Sequence, residues 1–325
     1  MISSAAARLP AQNTTLPQVR VMPPARPILH AIGSPAFIYG TAWKKDASAK
    51  LVADALAAGF VAVDTAAQPR HYQEHLVGAG IRDALKANGL ARDQIYVQTK
   101  FTSPAGQDLN NMPYSPEDPI ATQVHTSVKS SLLNLRPTDD ESGSGASYID
   151  CLLLHSPLPN IRQTLEAWRT LETYVPHKIR HLGISNVSQP ILEVLYRSST
   201  VKPAVVQNRF YAATSYDVSL REFCRENGIV YESFWTLTGN PQLLQSTPVF
   251  MLAQFAGVSA EVALYALVMA VDVVVLNGTT NADRMKEDLE GIKKVQEWSK
   301  TKDDTWNTIL GDFKHMIGDG EDMDE

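Results

Sequence analysis

Residues 60–100 read FVAVDTAAQPRHYQEHLVGAGIRDALKANGLARDQIYVQTK. Phe60–Val63 is an apolar run too short for a helix, and it stops at Asp64. Tyr72–Ala87 then carries its apolar residues at helical spacing, and a second short run, Ile95–Thr99, stops at Lys100. A strand, a helix and another strand in this order make a parallel pair joined by a crossover helix.

The same alternation extends in both directions. Upstream, the reading gives a strand at Ala36–Tyr39 and a helix over Ala47–Ala58, with Leu51, Ala55 and Leu56 on one face and Gly59 as its stop. Downstream it gives strands at Ile149–Leu154, His181–Ile184, Ala204–Val206, Ile229–Glu232 and Val271–Leu276. Helices are predicted between them at Asp118–Leu135, Ile161–Thr173, Gln189–Ser198, Tyr216–Glu226 and Val249–Met269, the last with a break at Gly257. Eight strands, each followed by a helix, predict an α/β fold of the (β/α)8 TIM-barrel type. No Gly-x-Gly-x-x-Gly follows a strand, which weighs against a doubly wound alternative. The expected organisation is an N-terminal extension over 1–34, a barrel over 35–300, and a C-terminal helix and acidic tail over 301–325.

At 325 residues, 44% hydrophobic and 20% charged, the chain can bury a large core. A net charge of -6 gives no basic footprint, so nucleic acid is not an expected partner. Cys151 and Cys224 are far apart and lack metal-ligand spacing, which predicts neither a disulfide framework nor a metal site. No apolar run has bilayer-crossing length, so no membrane is expected either. Residues 1–45 hold no Asp or Glu and carry Arg8, Arg20 and Arg26, as organelle transit peptides do. Pro10, Pro17, Pro23, Pro24 and Pro27 oppose the amphipathic helix such a peptide needs. The lead-in is therefore read as disordered and the protein as cytoplasmic, with organelle import left open; a monomer is the expected state. Two connections are long: Thr102–Pro119, at the strand end where barrel chemistry occurs, and Pro137–Ser147, a tolerated surface insertion.

In a barrel, polar residues at the C-terminal ends of the strands converge on one mouth. Asp64, Lys100 and His155 each end a predicted strand, and Tyr72 lies just beyond the loop after Asp64. Singly each has a plain structural reading: a helix cap, a solvated strand end, a packed imidazole and a core aromatic. Together they form an acid–base set. Reducing a carbonyl needs a proton donor, and a phenol becomes a useful one when a cation stabilises its phenolate. Lys100 supplies such a cation, Asp64 a carboxylate to hold it, and His155 a hydrogen bond for the substrate oxygen.

These residues sit in a series of ordered motifs: Gly40-Thr41, Val63-Asp64-Thr65-Ala66, Tyr72-x-Glu74-x-x-Val77-Gly78, Val97-x-Thr99-Lys100, Ile149-Asp150-x-x-Leu153-Leu154-His155 and Gly183-Ile184-Ser185-Asn186. From Ala36 to Ile292 the chain resembles the aldo-keto reductases. The resemblance implies hydride transfer between NADP(H) and a small aldehyde, ketone or alcohol, with Asp64, Tyr72, Lys100 and His155 as a catalytic tetrad and Tyr72 as general acid. It also implies that Ser185, Asn186 and Gln207 hold the nicotinamide carboxamide and Phe234 stacks on the ring. Gly40 and Thr41 fall in the same cofactor set, and Thr279, Arg284, Glu287 and Asp288 take the adenosine phosphate end.

Three departures accompany it. The family's tyrosine normally falls five residues after the aspartate, where this chain has Pro69, so a short insertion within Gln68–His71 is inferred. The family's Tyr-Ser-Pro-Leu stretch is replaced by Phe234-Trp235-Thr236-Leu237. Gly278 stands where a lysine is usual, which removes a cation from the phosphate site and leaves NAD(H) possible beside NADP(H). These departures keep a second class open, a cofactor-binding regulatory barrel resembling channel β subunits. A hydrolase or lyase would need paired carboxylates at strand ends, and of these the sequence reading finds Asp64 alone.

Overall fold

The computed structural model describes residues 37–140 and 146–319. The expectations for the 1–34 lead-in, for Ala36, for residues 141–145 of the surface insertion and for residues 320–325 of the tail lie outside them.

Eight strands close into one parallel barrel in sequence order: β1 Phe37–Gly40, β2 Ala62–Asp64, β3 Tyr96–Phe101, β4 Ile149–Leu154, β5 Ile179–Ser185, β6 Val205–Arg209, β7 Val230–Phe234 and β8 Val273–Asn277. β1 is hydrogen-bonded to β2 on one side and to β8 on the other, so no sheet edge is left. Around it stand α1 Ser48–Ala58, α2 Glu74–Asn88, α3 Ile120–Asn134, α4 Ile161–Glu172, α5 Gln189–Ser198, α6 Val218–Glu226, the short α7 Pro241–Leu244, α8 Thr247–Ala256, α9 Ala260–Met269, α10 Ala282–Thr301 and α11 Asp303–Met316.

Side chains alternate across each strand, which splits the apolar residues into two clusters. Outward-facing residues such as Val63, Val97, Leu152, Ile184 and Val206 pack with the helices into the main core. Inside the barrel, Ile38, Ala62, Tyr96, Cys151, Leu153, Val205 and Val274 form a smaller cluster. Further toward the C-terminal ends the inward positions turn polar, with Asp64, Gln98, Lys100, Gln207 and Glu232 all buried.

The expected element boundaries need several corrections. α2 begins at Glu74, so Tyr72 lies in the turn before it, where the amides of His71 and Tyr72 both donate to the Gln68 carbonyl. The predicted 249–269 helix is two helices bent by 107°. Gly257 ends the first of them with φ 65, a left-handed conformation that glycine adopts without steric cost. α6 starts at Val218 because Ser215, Tyr216 and Asp217 are all left-handed. β6 and β7 run to Arg209 and Phe234, past the predicted ends at Val206 and Glu232. Among the described residues no single helix is long and apolar enough to cross a bilayer.

Candidate active site

At the C-terminal mouth, β2 ends on Asp64, β3 presents Lys100, and His155 follows β4, its amide donating to the Phe101 carbonyl at 2.9 Å. Lys100 is 1% exposed, so its charge must be met inside the protein. Its ammonium donates to both Asp64 oxygens at 2.6 Å and to the Thr65 carbonyl at 3.0 Å, which occupies all three hydrogens. Burial alone pulls its pKa down; Asp64, Tyr72 and Glu232 more than offset this, and the net shift is upward. Lys100 is therefore a fixed positive charge.

Tyr72 closes over this pair. The Lys100 nitrogen lies 5.4 Å from the centre of its ring, and the His155 ring meets it edge-on at 5.9 Å. The turn that carries Tyr72 is tied to the loop after β3 from two sides. Gln68 Nε2 donates to the Gly106 carbonyl at 2.6 Å, and Gln107 Nε2 to that of Ala67 at 2.8 Å. A cavity of about 140 Å³ lies beside the turn, lined by Gln68, Tyr72, Glu74, Asn111 and Asn134 among others. Burial raises the phenol pKa, Lys100 draws it down and Asp64 pushes it up, with a net upward shift. The expected depression by Lys100 thus exists but is outweighed by desolvation.

His155 Nδ1 lies 2.7 Å from Thr102 Oγ1, which leaves Nε2 free for the mouth. Burial, with Lys100 and His71 adding to it, pushes the imidazole pKa down to about 3, so the ring is neutral near pH 7.

Below the tetrad lies a hub absent from the sequence reading. The Gln98 side-chain amide donates to Asp64 Oδ1 at 2.9 Å and to Glu232 Oε2 at 2.7 Å. Gln207 does the same at 3.0 and 2.9 Å. Two glutamines therefore bridge two buried carboxylates. Burial raises the Glu232 pKa to about 7, opposed by the two amides, and its Oε1 is buried without a partner. Glu232 gives the second carboxylate that the sequence reading failed to find. Its signal was the alternation that puts Glu232 and Phe234 on one face of β7; the same rule pairs Thr102 with Lys100.

The expected cofactor residues divide into two groups. Ser185 Oγ donates to the Gln207 carbonyl at 2.6 Å, and Asn186 Nδ2 donates to the His155 carbonyl at 2.9 Å. With both hydrogens of its side-chain amide turned into the hub, Gln207 keeps Oε1 as its remaining side-chain acceptor. Phe234 stands at the rim, and Gly40 ends β1. Thr41 Oγ1 donates to the Asp64 carbonyl at 2.9 Å.

The second group lies after β8. Thr279 is set by its amide donating to Asn277 Oδ1 and by Tyr39 Oη donating to its carbonyl. Arg284 and Glu287 are exposed on α10. Asn281 Oδ1 accepts the amides of Asp283 and Arg284, so the side chains rather than these amides are left for an anion. Asp288 is buried and accepts from Asn277 Nδ2 at 2.7 Å, turned toward β8 and away from the solvent side of the helix. Lys44 reaches across to the Gly278 carbonyl and so puts an ammonium beside the position where the cation is missing.

A family model described as aldo/keto reductase family matches residues 32–247. The chain belongs to the aldo/keto reductase family. Among its relatives, the NAD/NADP-dependent indole-3-acetaldehyde reductase of Schizosaccharomyces pombe is 29% identical over 216 residues, 63% of this chain but only 65% of that protein's length. The D-galacturonate reductase of Hypocrea jecorina is 26% identical over 310 residues, 87% of this chain and 91% of that one. In fold, this aldo/keto reductase is similar to the solved Bombyx mori aldo-keto reductase in complex with NADP. That match has a TM-score of 0.64 at 20% identity and covers 82% of this chain and 89% of the other.

Proposed function

We propose that this aldo/keto reductase interconverts a small aldehyde or ketone and its alcohol with NADP(H), and that Tyr72 is the proton donor. The observation that carries the reading is the meeting of Tyr72, Lys100 and His155 above the Asp64 carboxylate. The residues at the mouth fit a nicotinamide dinucleotide: Asn186, the Gln207 side-chain Oε1 and the Phe234 ring on one side, Thr279 and Arg284 on the other. The indole-3-acetaldehyde reductase is named for use of both dinucleotides, and the silkworm reductase was solved with NADP, which supports this cofactor class. A bound reduced nicotinamide supplies the hydride.

The protein's own groups handle the proton. Because burial raises the phenol pKa, Tyr72 is protonated at neutral pH and holds the proton a carbonyl oxygen needs. As that proton leaves, the Lys100 charge stabilises the phenolate, and Asp64 keeps the ammonium from moving. Neutral His155, engaged at Nδ1 by Thr102, offers Nε2 to orient the same oxygen. Arg284 gives a planar fork for the 2′-phosphate that separates NADP(H) from NAD(H).

Two measurements test this. Tyr72→Phe should bind NADPH as the wild type does and lose NADPH oxidation by roughly 10²-fold or more; equal turnover would remove Tyr72 from the role. Cofactor binding by the wild type with no turnover over a broad aldehyde and ketone panel would favour a regulatory barrel instead. Arg284→Ala should narrow the preference for NADPH over NADH, and an unchanged ratio would count against the phosphate assignment.

A further inference from the structure

Val205, Gln207 and Arg209 share the inward face of β6, and Arg209 stands at the C-terminal rim, level with Phe234 of β7 in the strand register. Its guanidinium carbon lies 4.0 Å from the centre of the Trp235 ring, 5.2 Å from Tyr211 and 5.7 Å from Phe234. Trp235 is held there by a tight turn with φ 59, closed by the Gly239 amide donating to its carbonyl at 2.8 Å. A Cβ at Gly239 would come within 2.9 Å of that oxygen, so the turn depends on the glycine.

The other sheltered arginines of this protein find oxygen partners, a carboxylate in most cases and, for Arg136, the Leu133 and Asp139 carbonyls. Arg92 pairs with Asp150, Arg221 with Asp319 and Arg82 with Asp139. Among the described residues the Arg209 side chain has neither an ion pair nor a hydrogen bond, and its Nε is buried without a partner. Aromatic rings satisfy the faces of a guanidinium and leave its in-plane donors open. A half-buried cation fixed in this way is built to receive an anion.

Its place indicates which anion. The tetrad is across the mouth on β2, β3 and β4, whereas Arg209 stands on β6 within the Gln207–Phe234 group, in the same half of the mouth as the Thr279–Arg284 group that follows β8. On the cofactor reading above, on which this inference rests, one dinucleotide spans those two groups, and its diphosphate crosses the gap. We propose that Arg209 binds the cofactor diphosphate, with Trp235 and Phe234 holding the guanidinium flat in advance. It thereby supplies a cation on the cofactor side of the mouth, two strands away from β8 and the Gly278 loop that follows it.

Isothermal calorimetry of NADPH with full-length wild type and Arg209→Met, at low and high salt, tests this. The variant should keep its melting temperature and lose about 10- to 100-fold in affinity at low salt, with a smaller loss at high salt. Arg209→Lys should recover part of the affinity, since it returns the charge without the fork. Unchanged NADPH affinity in Arg209→Met would overturn the proposal. So would a pattern in which, at saturating cofactor, only KM for a carboxylated aldehyde rises while that for a neutral aldehyde stays fixed, because the anion would then belong to the substrate. Wild type that binds no nicotinamide dinucleotide would defeat the cofactor reading itself, and this assignment with it.

Discussion

Thr102 decides which nitrogen of His155 faces the mouth. Its hydroxyl at 2.7 Å from Nδ1 fixes the ring, and a donor there selects the tautomer with hydrogen on Nε2. Thr102→Val keeps the shape and leaves Nδ1 buried without a partner. Turnover should fall by about 10-fold while NADPH affinity stays near wild type; equal kcat in a steady-state assay would show that the ring needs no such anchor. The imidazole pKa, pushed down to about 3 by burial, has its own consequence. Protonation of His155 takes place far below neutral pH, so kcat/KM between pH 5 and 8 should show no limb belonging to this ring, and loss of a limb near pH 6.5 in His155→Asn would contradict that. None of this was visible in the sequence, because Thr102 belongs to the site only once β3 is known to continue its alternation past Lys100.

At the scale of elements, close helix packing depends on a residue already singled out by its motif. A Cβ added at Gly78 of α2 would sit 1.9 Å from the Asn134 carbonyl oxygen of α3, and backbone rather than a flexible side chain would have to move. Asn134 also donates to Glu74, whose other oxygen accepts from Thr99, so the displacement reaches the start of α2 two residues after Tyr72. Gly78→Ala should cost about 1–3 kcal/mol in a denaturation experiment and lower kcat; an unchanged midpoint would mean that α3 shifts freely. The strands were legible as β-branched runs, and their number and order follow from the alternation with helices. Their C-terminal ends were not. Gln207, Asn208 and Arg209 continue the ladder of β6, and Ser233 and Phe234 that of β7, although hydropathy falls earlier. The polar layer inside the barrel ends the apolar pattern before it ends the strand. Arg209 falls outside the predicted strand for that reason, whereas Gln98 and Glu232 lie inside predicted strands and join the site only once barrel closure brings them to Asp64 and Gln207. Tyr72 is legible through the spacing of Glu74, Val77 and Gly78 and not through any rule of the barrel.

For the whole molecule, the buried hub has a measurable cost. The Glu232 pKa is raised to about 7 from an ordinary 4.5, so the folded protein holds a proton that the unfolded chain releases. The stability associated with that proton is fully present below pH 4.5 and is lost as pH rises through 7. Glu232→Gln keeps an acceptor for the two glutamines and removes the charge. Relative to wild type it should gain on the order of 1–3 kcal/mol at pH 8 and little at pH 5, measured by denaturant unfolding at both values. A difference that grows toward acid would reverse the assignment. The barrel's closure carries a further consequence. Tyr39 is in register with Asn277, and its hydroxyl meets a carbonyl 240 residues away. During synthesis the first strand therefore leaves the ribosome long before its second neighbour exists. Until nearly the whole chain has been translated, one flank of that strand must be shielded from other nascent polypeptides, and any premature stop before Asn277 leaves a sheet with a raw margin instead of a cylinder.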